Sequence, residues 1–474
     1  MKSIQVINER QFAWLIGSLL AGGGLLSLQN ELVRTAHMDA WFSYLIPTMY
    51  VLLIGYVFVQ LSMRFPKKHL FEIIFVLFGR LFGTVINLLL VVHLWLILMR
   101  DLRSFGKFIG TILLPNTPEE ILVLLLMLVL MFYGRTSVEV IARVNDLFFP
   151  IFFLLVLLLP FLLSNEVDLQ LIQPILSVPA INFWYANVLG IGWFGDILVA
   201  GAFLHTIWNG KQVQSGLRHG IMMATLLLTI FQFLQVLVLG PSIPGNMIYP
   251  SYSLVQQIHI TDFLDRIDLF ILSIWYPVMA CRVILVYLAF LIGVASLLKK
   301  RDYTVLNSPV SLILLLTTIL AFKNTTEVFS FGNFSSPVLV LAYQPVLMIA
   351  LWIRMRRFPI RSAGENQNGS KNDETGEEPR KPQDRQRDQS PGKHIWSRLT
   401  RASLQTLVRI GNLLFCLCIG FVILGLAISS DYSFVGMLCA LGYWICLIGV
   451  VVTSHMEMRR SAQHLVKKPS DSVS

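Results

Sequence analysis

Apolar runs of about 20 residues follow one another along most of the 474-residue chain, close to the length a helix needs to cross the ~30 Å hydrocarbon core of a bilayer. They fall at roughly 12–28, 40–60, 81–99, 119–133, 146–163, 184–208, 217–240, 268–297, 308–322 and 335–353. After a polar gap two more follow, at 409–429 and 433–453. The pattern predicts spanning helices throughout and an all-α integral membrane protein. The first run has no small-residue cleavage site after it, so it reads as a retained helix and not as a signal peptide.

The segments between the runs set an expected orientation. Arg64, Lys67 and Lys68 follow the second run, Arg135 and Arg143 the fourth, and Lys211 and Arg218 the sixth. Lys299, Lys300 and Arg301 follow the eighth, and Arg354, Arg356 and Arg357 the tenth. The segment after the fifth run has Glu166 and Asp168 without Lys or Arg, and the one after the seventh sets Arg266 against Asp262, Asp265 and Asp268. By the positive-inside rule both termini are expected in the cytoplasm. Residues 100–118, read as an outer loop, run against this with Arg100, Arg103 and Lys107.

Residues 357–408 are rich in charge, Gly, Pro, Asn and Gln and nearly free of apolar positions. Such a stretch buries too little surface to offset its ordering entropy, which predicts a disordered cytoplasmic linker. The expected organisation is therefore a ten-helix core over 1–356, the linker over 357–408, and an added transmembrane hairpin with a cytoplasmic tail over 409–474.

Composition narrows the function. The chain is 55% hydrophobic and 14% charged, against about 45–50% and about 25% for soluble domains. The net charge of +10 sits in short clusters between apolar runs, which points to membrane topology and not to nucleic acid. Cys281, Cys416, Cys418, Cys439 and Cys446 all lie inside apolar runs without zinc-site partners, so they read as packing residues. There is no P-loop, HExxH or G-x-S-x-G, so neither an enzyme nor a metal or cofactor is expected.

Two runs hold glycine clusters: "LIGSLLAGGGLLSL" with Gly22, Gly23 and Gly24, and "NVLGIGWFGDIL" with Gly190, Gly192 and Gly195. Each glycine costs a helix interior about 1 kcal/mol relative to alanine, which favours an unwound segment. Close packing through small residues would use the same glycines. Their places in the first and sixth runs, five apart, match an inverted five-helix repeat and favour the unwound reading. Two charges are buried in apolar runs. Asp196 follows the second glycine cluster, and Arg282 stands near the centre of the eighth run. An unpaired carboxylate there costs roughly 2.5–3.5 kcal/mol on insertion scales. Asn87 and His93 in the third run, and Gln232 and Gln235 in the seventh, read as glue between helices.

Three segments resemble the B subunits of GerA-type nutrient germinant receptors of endospore-forming bacteria, which belong to the amino acid–polyamine–organocation (APC) transporter superfamily. The first is "PEEILVLLLMLVLMFYGRTSVEVIARVNDLFFP", with Gly134, the Ile141-Ala142-Arg143 turn and Pro150. The second is "LIQPIL" at 171–176, leading into the glycine-rich sixth helix and the carboxylate position of Asp196. The third runs from Tyr249-Pro250 through Phe263, Arg266 and Asp268 to Trp275. The resemblance covers about residues 5–355. The chain departs from the family at Gln29, where a proline is usual, and in its hairpin, since family members usually stop after ten helices.

The resemblance implies a 5+5 inverted-repeat core in which helices one, six and eight line a central site. Asp196 and Arg282 would then be a midplane ion pair. Gly22, Gly23, Gly24, Gly190, Gly192, Trp193, Gly195, Asp196, Trp275 and Met279 would line the site of a small nutrient such as an amino acid. It further implies an A subunit and a lipoprotein C subunit as partners, and the inner membrane of the spore as the location. A proton- or sodium-coupled amino acid permease of the same superfamily, in the cell membrane, is the alternative.

Overall fold

The computed structural model describes residues 7–207, 209–258, 266–300, 302–360, 404–429 and 432–466. Trp208, Phe263, Arg301, residues 361–403 (most of the expected linker) and the tail from 467 lie outside the described residues. The helices are α1 (Glu9–Ala36), α2 (Leu45–Arg64), α3 (Leu70–Ile112), α4 (Glu119–Tyr133), α5 (Val138–Leu162), α6 (Ala180–Phe194) and α7 (Gly210–Leu239). They continue with the short α8 (Pro250–Val255), then α9 (Ile267–Leu297), α10 (Asn307–Ala321), α11 (Thr325–Ser330) and α12 (Ser336–Met355). The terminal hairpin is α13 (Leu404–Ile428) and α14 (Ser433–Val466). All twelve expected runs are helical, and the described residues contain no strand. Among them eleven helical segments are long and apolar enough to cross a membrane; α4, with 15 residues, is shorter than those.

Local chemistry sets several of the ends. Asn8 opens α1 with a reciprocal capping box, its Oδ1 accepting from Gln11 N at 2.8 Å while its own N–H donates to Gln11 Oε1 at 3.2 Å. Such a box satisfies two of the orphan donors of the first turn. Asn209 caps α7, and Gly240, at φ 82°, ends it. Within α3, Gly79 takes φ 76° and kinks the helix near its start, a conformation open to a residue without a Cβ.

The layers follow from burial. Over their most apolar stretches α1, the sixth span and α7 are each 89% buried and α9 83%, whereas α5 is 28% and α10 22% buried. The first four form the inner bundle. The outer helices turn Leu81 and Phe82 of α3, Phe161 of α5 and Val338 of α12 outward, as a lipid-facing surface requires. Lipid tails are as apolar as Leu, so close packing must hold the bundle. Gly216 and Gly220, four apart on α7, supply it: Cβ atoms there would run into the α1 backbone at Glu9 and Ala13.

Four expectations change. First, α1 is wound without interruption through Gly22–Gly24. The sixth span is not broken at its glycines either; it passes at Gly195 into twelve residues of 3-10 helix (Gly195–Thr206). Second, residues 100–112 are no outer loop but the last turns of the 43-residue α3, with Arg100 and Arg103 buried. Arg103 Nε meets Glu119 at 2.9 Å and Lys107 meets the same carboxylate. Third, α13 begins at Leu404, inside the stretch expected to be linker. Fourth, the hairpin is not a detached unit. Glu457 of α14 is 1% exposed and meets Arg218 of α7 at 3.2 Å. Arg218 also donates to Val408 O of α13 at 3.3 Å, and His219 Nδ1 lies 2.9 Å from Ser454 Oγ.

Candidate functional site

Gly22 stands near the middle of α1 and Arg282 midway along α9, while Asp196 opens the 3-10 stretch of the sixth span. The three meet in the inner bundle. Asp196 Oδ2 accepts from Arg282 Nη2 at 2.5 Å, which is the pair expected from the sequence. It is half of a larger arrangement. The same oxygen accepts from Arg100 Nη2 at 2.6 Å. Asp101 bridges the two guanidiniums from the other side, its Oδ1 accepting from Arg100 Nε at 2.9 Å and its Oδ2 from Arg282 Nε at 3.0 Å.

Two carboxylates and two guanidiniums thus close a ring. Arg100, Arg282 and Asp196 are at most 2% exposed and Asp101 5%. Each charge has opposite charges as neighbours and the ring sums to zero, the condition for keeping four ions out of water. The guanidinium of Arg100 lies 3.9 Å from the ring centroid of Trp193. The free Nη1 of Arg282 donates to Leu19 O of α1. Asp196 Oδ1 has no hydrogen-bond partner among the described residues.

The glycines explain how Arg282 reaches this position. A Cβ on Gly23 would sit 2.6 Å from Arg282 Cζ and 2.7 Å from Trp193 Cε3, and one on Gly22 3.1 Å from Arg282 Cδ. The two leave a groove on an intact helix that the arginine fills. Gly24 faces Leu228 of α7 at 3.5 Å. Gly190, Gly192 and Gly195 lie against Pro47, Pro337 and Val340, with Cβ positions 2.5–2.7 Å away. The sixth-span glycines therefore admit α2 and α12.

Main-chain carbonyls in both glycine runs are already engaged. Ser336 Oγ donates to Gly192 O at 3.2 Å, Gln344 Nε2 to Gly195 O at 3.0 Å, and Asn333 Nδ2 to Ser27 O at 2.8 Å. All three donors come from the span Thr325–Met355, where a π turn (Phe331–Ser335) separates α11 from α12. Such turns recur at functional sites.

A narrow cleft of only about 10 Å³, no more than a water molecule needs, adjoins the ring and is lined by Gly22, Gly23, Asp101, Trp193, Met279 and Arg282 among others. Met279, Arg282 and Val283 share one face of α9 by their spacing. Trp275 lies one turn away from the cleft lining, in an aromatic cluster with Phe108, Phe152 and Phe231 at centroid distances of 5.5, 6.4 and 6.3 Å. A larger cavity of about 280 Å³ lies nearer the far end of α1, with Asn30, Glu31, Arg34, Asn246, Thr325 and Phe334 on its wall. Asn333, next to Phe334 on that wall, accepts from Trp193 Nε1 at 3.1 Å.

The sequence reading missed Arg100, Asp101 and Asn333. The signal for the first two was the apolar period running on past residue 99, through Leu102, Phe105, Ile109 and Ile112. Gln232 and Gln235 join neighbouring elements as expected, whereas Asn87 bonds within its own helix across the Gly79 kink. Gln232 accepts from Tyr44 OH at 3.2 Å, and Gln235 Nε2 donates to Ser251 Oγ at 3.2 Å and to Gln29. Gln29, at the usual proline position, is thus part of a buried amide network. Asn87 Nδ2 donates to Phe71 O at 3.0 Å, and the His93 ring lies 5.4 Å from that of Tyr343. No group of His, Cys, Asp or Glu that could hold a metal occurs among the described residues.

Residues 6–327 match the family described as "Spore germination protein". Similar chains include three from Bacillus subtilis (strain 168). The putative spore germination protein YfkT is 26% identical over 333 residues, covering 70% of this chain and 90% of its own. Spore germination protein KB is 24% identical over 362 residues, covering 74% and 96%. Spore germination protein B2 is 23% identical over 275 residues, covering 58% and 75%. Among solved structures, Mhp1, a nucleobase-cation-symport-1 family transporter in a closed conformation with bromovinylhydantoin bound, superposes with a TM-score of 0.55. It is 10% identical, with 95% of this chain and 93% of Mhp1 covered. That likeness establishes a transporter-type fold.

Proposed function

The chain belongs to the spore germination protein family, and from that premise we propose that it is the B subunit of a nutrient germinant receptor. It binds a small nutrient of the amino acid class at the cleft beside the charge ring, which must widen to admit it, and triggers germination together with an A subunit and a lipoprotein C subunit. Its place is the inner membrane of the spore, with both termini in the cytoplasm. The ten-helix core carries the ligand, and the linker and hairpin are additions to it.

The observation that carries this reading is the ring itself. Arg282 and Asp101 both line the cleft, so a carboxylate and an ammonium each find an opposite charge there. A zwitterion entering the cleft exchanges one internal ion pair for two with itself and leaves the total charge at zero. Gly22, Gly23, Trp193 and Met279 form the near wall of this site, and Asp196 stands behind Arg282 in the ring. Gly24, Gly190, Gly192, Gly195 and Trp275 support it from behind.

The fold also supports the alternative of a coupled amino acid permease. The receptor reading is preferred because the site's own arginines, which stay charged at any physiological pH, hold the carboxylates that a cycling proton or sodium ion would need. The test is to fill the cleft. Spores carrying Met279→Trp, with the protein present in the membrane at the parental amount, are expected to lose the response to every nutrient the parent answers. An unchanged dose–response curve would refute the site. Concentrative uptake of labelled nutrient into vesicles containing the chain alone would favour the permease.

A further inference from the structure

The far end of α1 carries polar chemistry that the charge ring does not use. The cavity of about 280 Å³ there is walled by the end of α1, the 3-10 turn Pro244–Asn246 and α11. At ~30 Å³ per water it has room for roughly nine waters, the bulk of one amino acid. The cleft beside the ring has room for no more than one.

The wall holds one carboxylate and one guanidinium, each fixed in place with bonding capacity left over. Arg34 Nε donates to Gly245 O at 2.5 Å and its Nη1 to Glu31 Oε1 at 2.7 Å. The arginine stem crosses Gly245 so closely that a Cβ there would sit 3.0 Å from Arg34 Cγ. Among the described residues Arg34 Nη2 and Glu31 Oε2 have no partner. To these α11 adds the hydroxyls of Thr325, Thr326 and Ser330. Ile248, Phe329 and Phe334 complete the wall with apolar surface, and Tyr249 braces Phe329 at a centroid distance of 6.0 Å.

We propose that this cavity is a second recognition site, for one free amino acid with an apolar side chain. Its carboxylate meets Arg34 Nη2, its ammonium Glu31 Oε2, and its side chain Ile248, Phe329 and Phe334. An anion alone would be repelled by Glu31 and a cation alone by Arg34, whereas a zwitterion pairs with both. Arg34 also suits the end of α1, where a cation meets the helix dipole, but that role leaves the hydroxyls and the space between them without use. The Arg34 side chain is 51% exposed, so the cavity is reached from outside the bundle. In the orientation proposed above that is the face away from the cytoplasm, from which a nutrient arrives. The amino acid class rests on the receptor reading; the need for both charges rests on the wall.

The test titrates the full chain, in mild detergent, with L-leucine and follows saturation-transfer NMR. Binding should saturate with a dissociation constant on the order of 1 mM. N-acetyl-L-leucine, which lacks the ammonium, should bind about tenfold more weakly. Glu31→Gln should weaken L-leucine about tenfold and so erase the preference, whereas loss of the fold would remove both signals. Ser330→Trp, which fills the cavity and keeps both charges, should remove them with the fold intact. Photo-leucine, a diazirine analogue with both charges, should label α11 or residues 246–248. Label around Met279 of α9 with none on α11 would overturn the cavity and leave the ring cleft standing. Label on α11, in a protein whose Met279→Trp spores germinate normally, would support the cavity and refute the ring cleft. No saturable L-leucine signal, equal binding of the N-acetyl form, or an unchanged preference in Glu31→Gln would each overturn the proposal.

Discussion

Neutralising Arg282 tests the charge ring most sharply. In Arg282→Gln the ring keeps one guanidinium against two carboxylates, a net charge of −1. The variant loses the bonds to Asp196 Oδ2 at 2.5 Å and Asp101 Oδ2 at 3.0 Å, together with that to Leu19 O. Breaking a buried pair in this way costs about 3–5 kcal/mol, because the partner charge stays buried. Asp196→Asn leaves the opposite imbalance and a cost of similar size. Independent effects would add to roughly 6–10 kcal/mol in the double variant. The ring predicts otherwise. With both changes made, Arg100 still donates to Asp101 at 2.9 Å, the net charge returns to zero, and the amide oxygen that replaces the Asp196 carboxylate can still accept from Arg100. The double variant should therefore be no less stable than the worse single one, a coupling of at least about 3 kcal/mol. Fluorescence-detected size exclusion after heating reads this in detergent. Each single variant should lose on the order of 10 °C, and the double variant should regain part of that loss. A double variant as unstable as the sum of the singles would refute the ring as a coupled unit.

The glycines of α1 should respond with opposite signs. Gly23→Ala pushes a methyl into Arg282 and Trp193 and should cost about 1–3 kcal/mol, while Gly24→Ala, with open contact to Leu228, should raise the melting midpoint by the helix preference of alanine; equal effects in heated detergent samples would contradict the packing. Truncation after Arg357 strips Arg218 of Glu457 and of Val408 O, so the shortened chain should accumulate poorly and Arg218→Leu should restore it. The rank order of nutrients should not change in truncated spores; a changed order would place the hairpin in the ligand site.

The helices were legible in the sequence because long apolar runs have few other folds available in a bilayer. So was the Asp196–Arg282 pair, since each is a single charge far inside an apolar run. Arg100 and Asp101 escaped because they stand where the third run gives way to charge, and a window of about 20 residues closes there. Their burial depends on Glu119 and Phe322 O, which hold Arg103 and extend the helix; neither is near in sequence. The hairpin's docking was hidden for the same reason. Glu457 lies past the last apolar run and Arg218 reads as an interhelix cation, so only tertiary structure joins them. At the glycines the sequence left two physical readings open, a helix break and a close approach. The decisive fact was the course of the Arg282 side chain across α1, which no local pattern contains.

The zero net charge of the ring has an electrical consequence. A group that carries one elementary charge through the membrane exchanges about 2.3 kcal/mol with each 100 mV of potential. Arg100, Asp101, Asp196 and Arg282 moving together carry none, so a shift of the whole ring along the membrane normal does no work against the field. Four ions at the centre of the inner bundle therefore add no voltage dependence of their own to such a shift, whether the membrane is energised or fully depolarised.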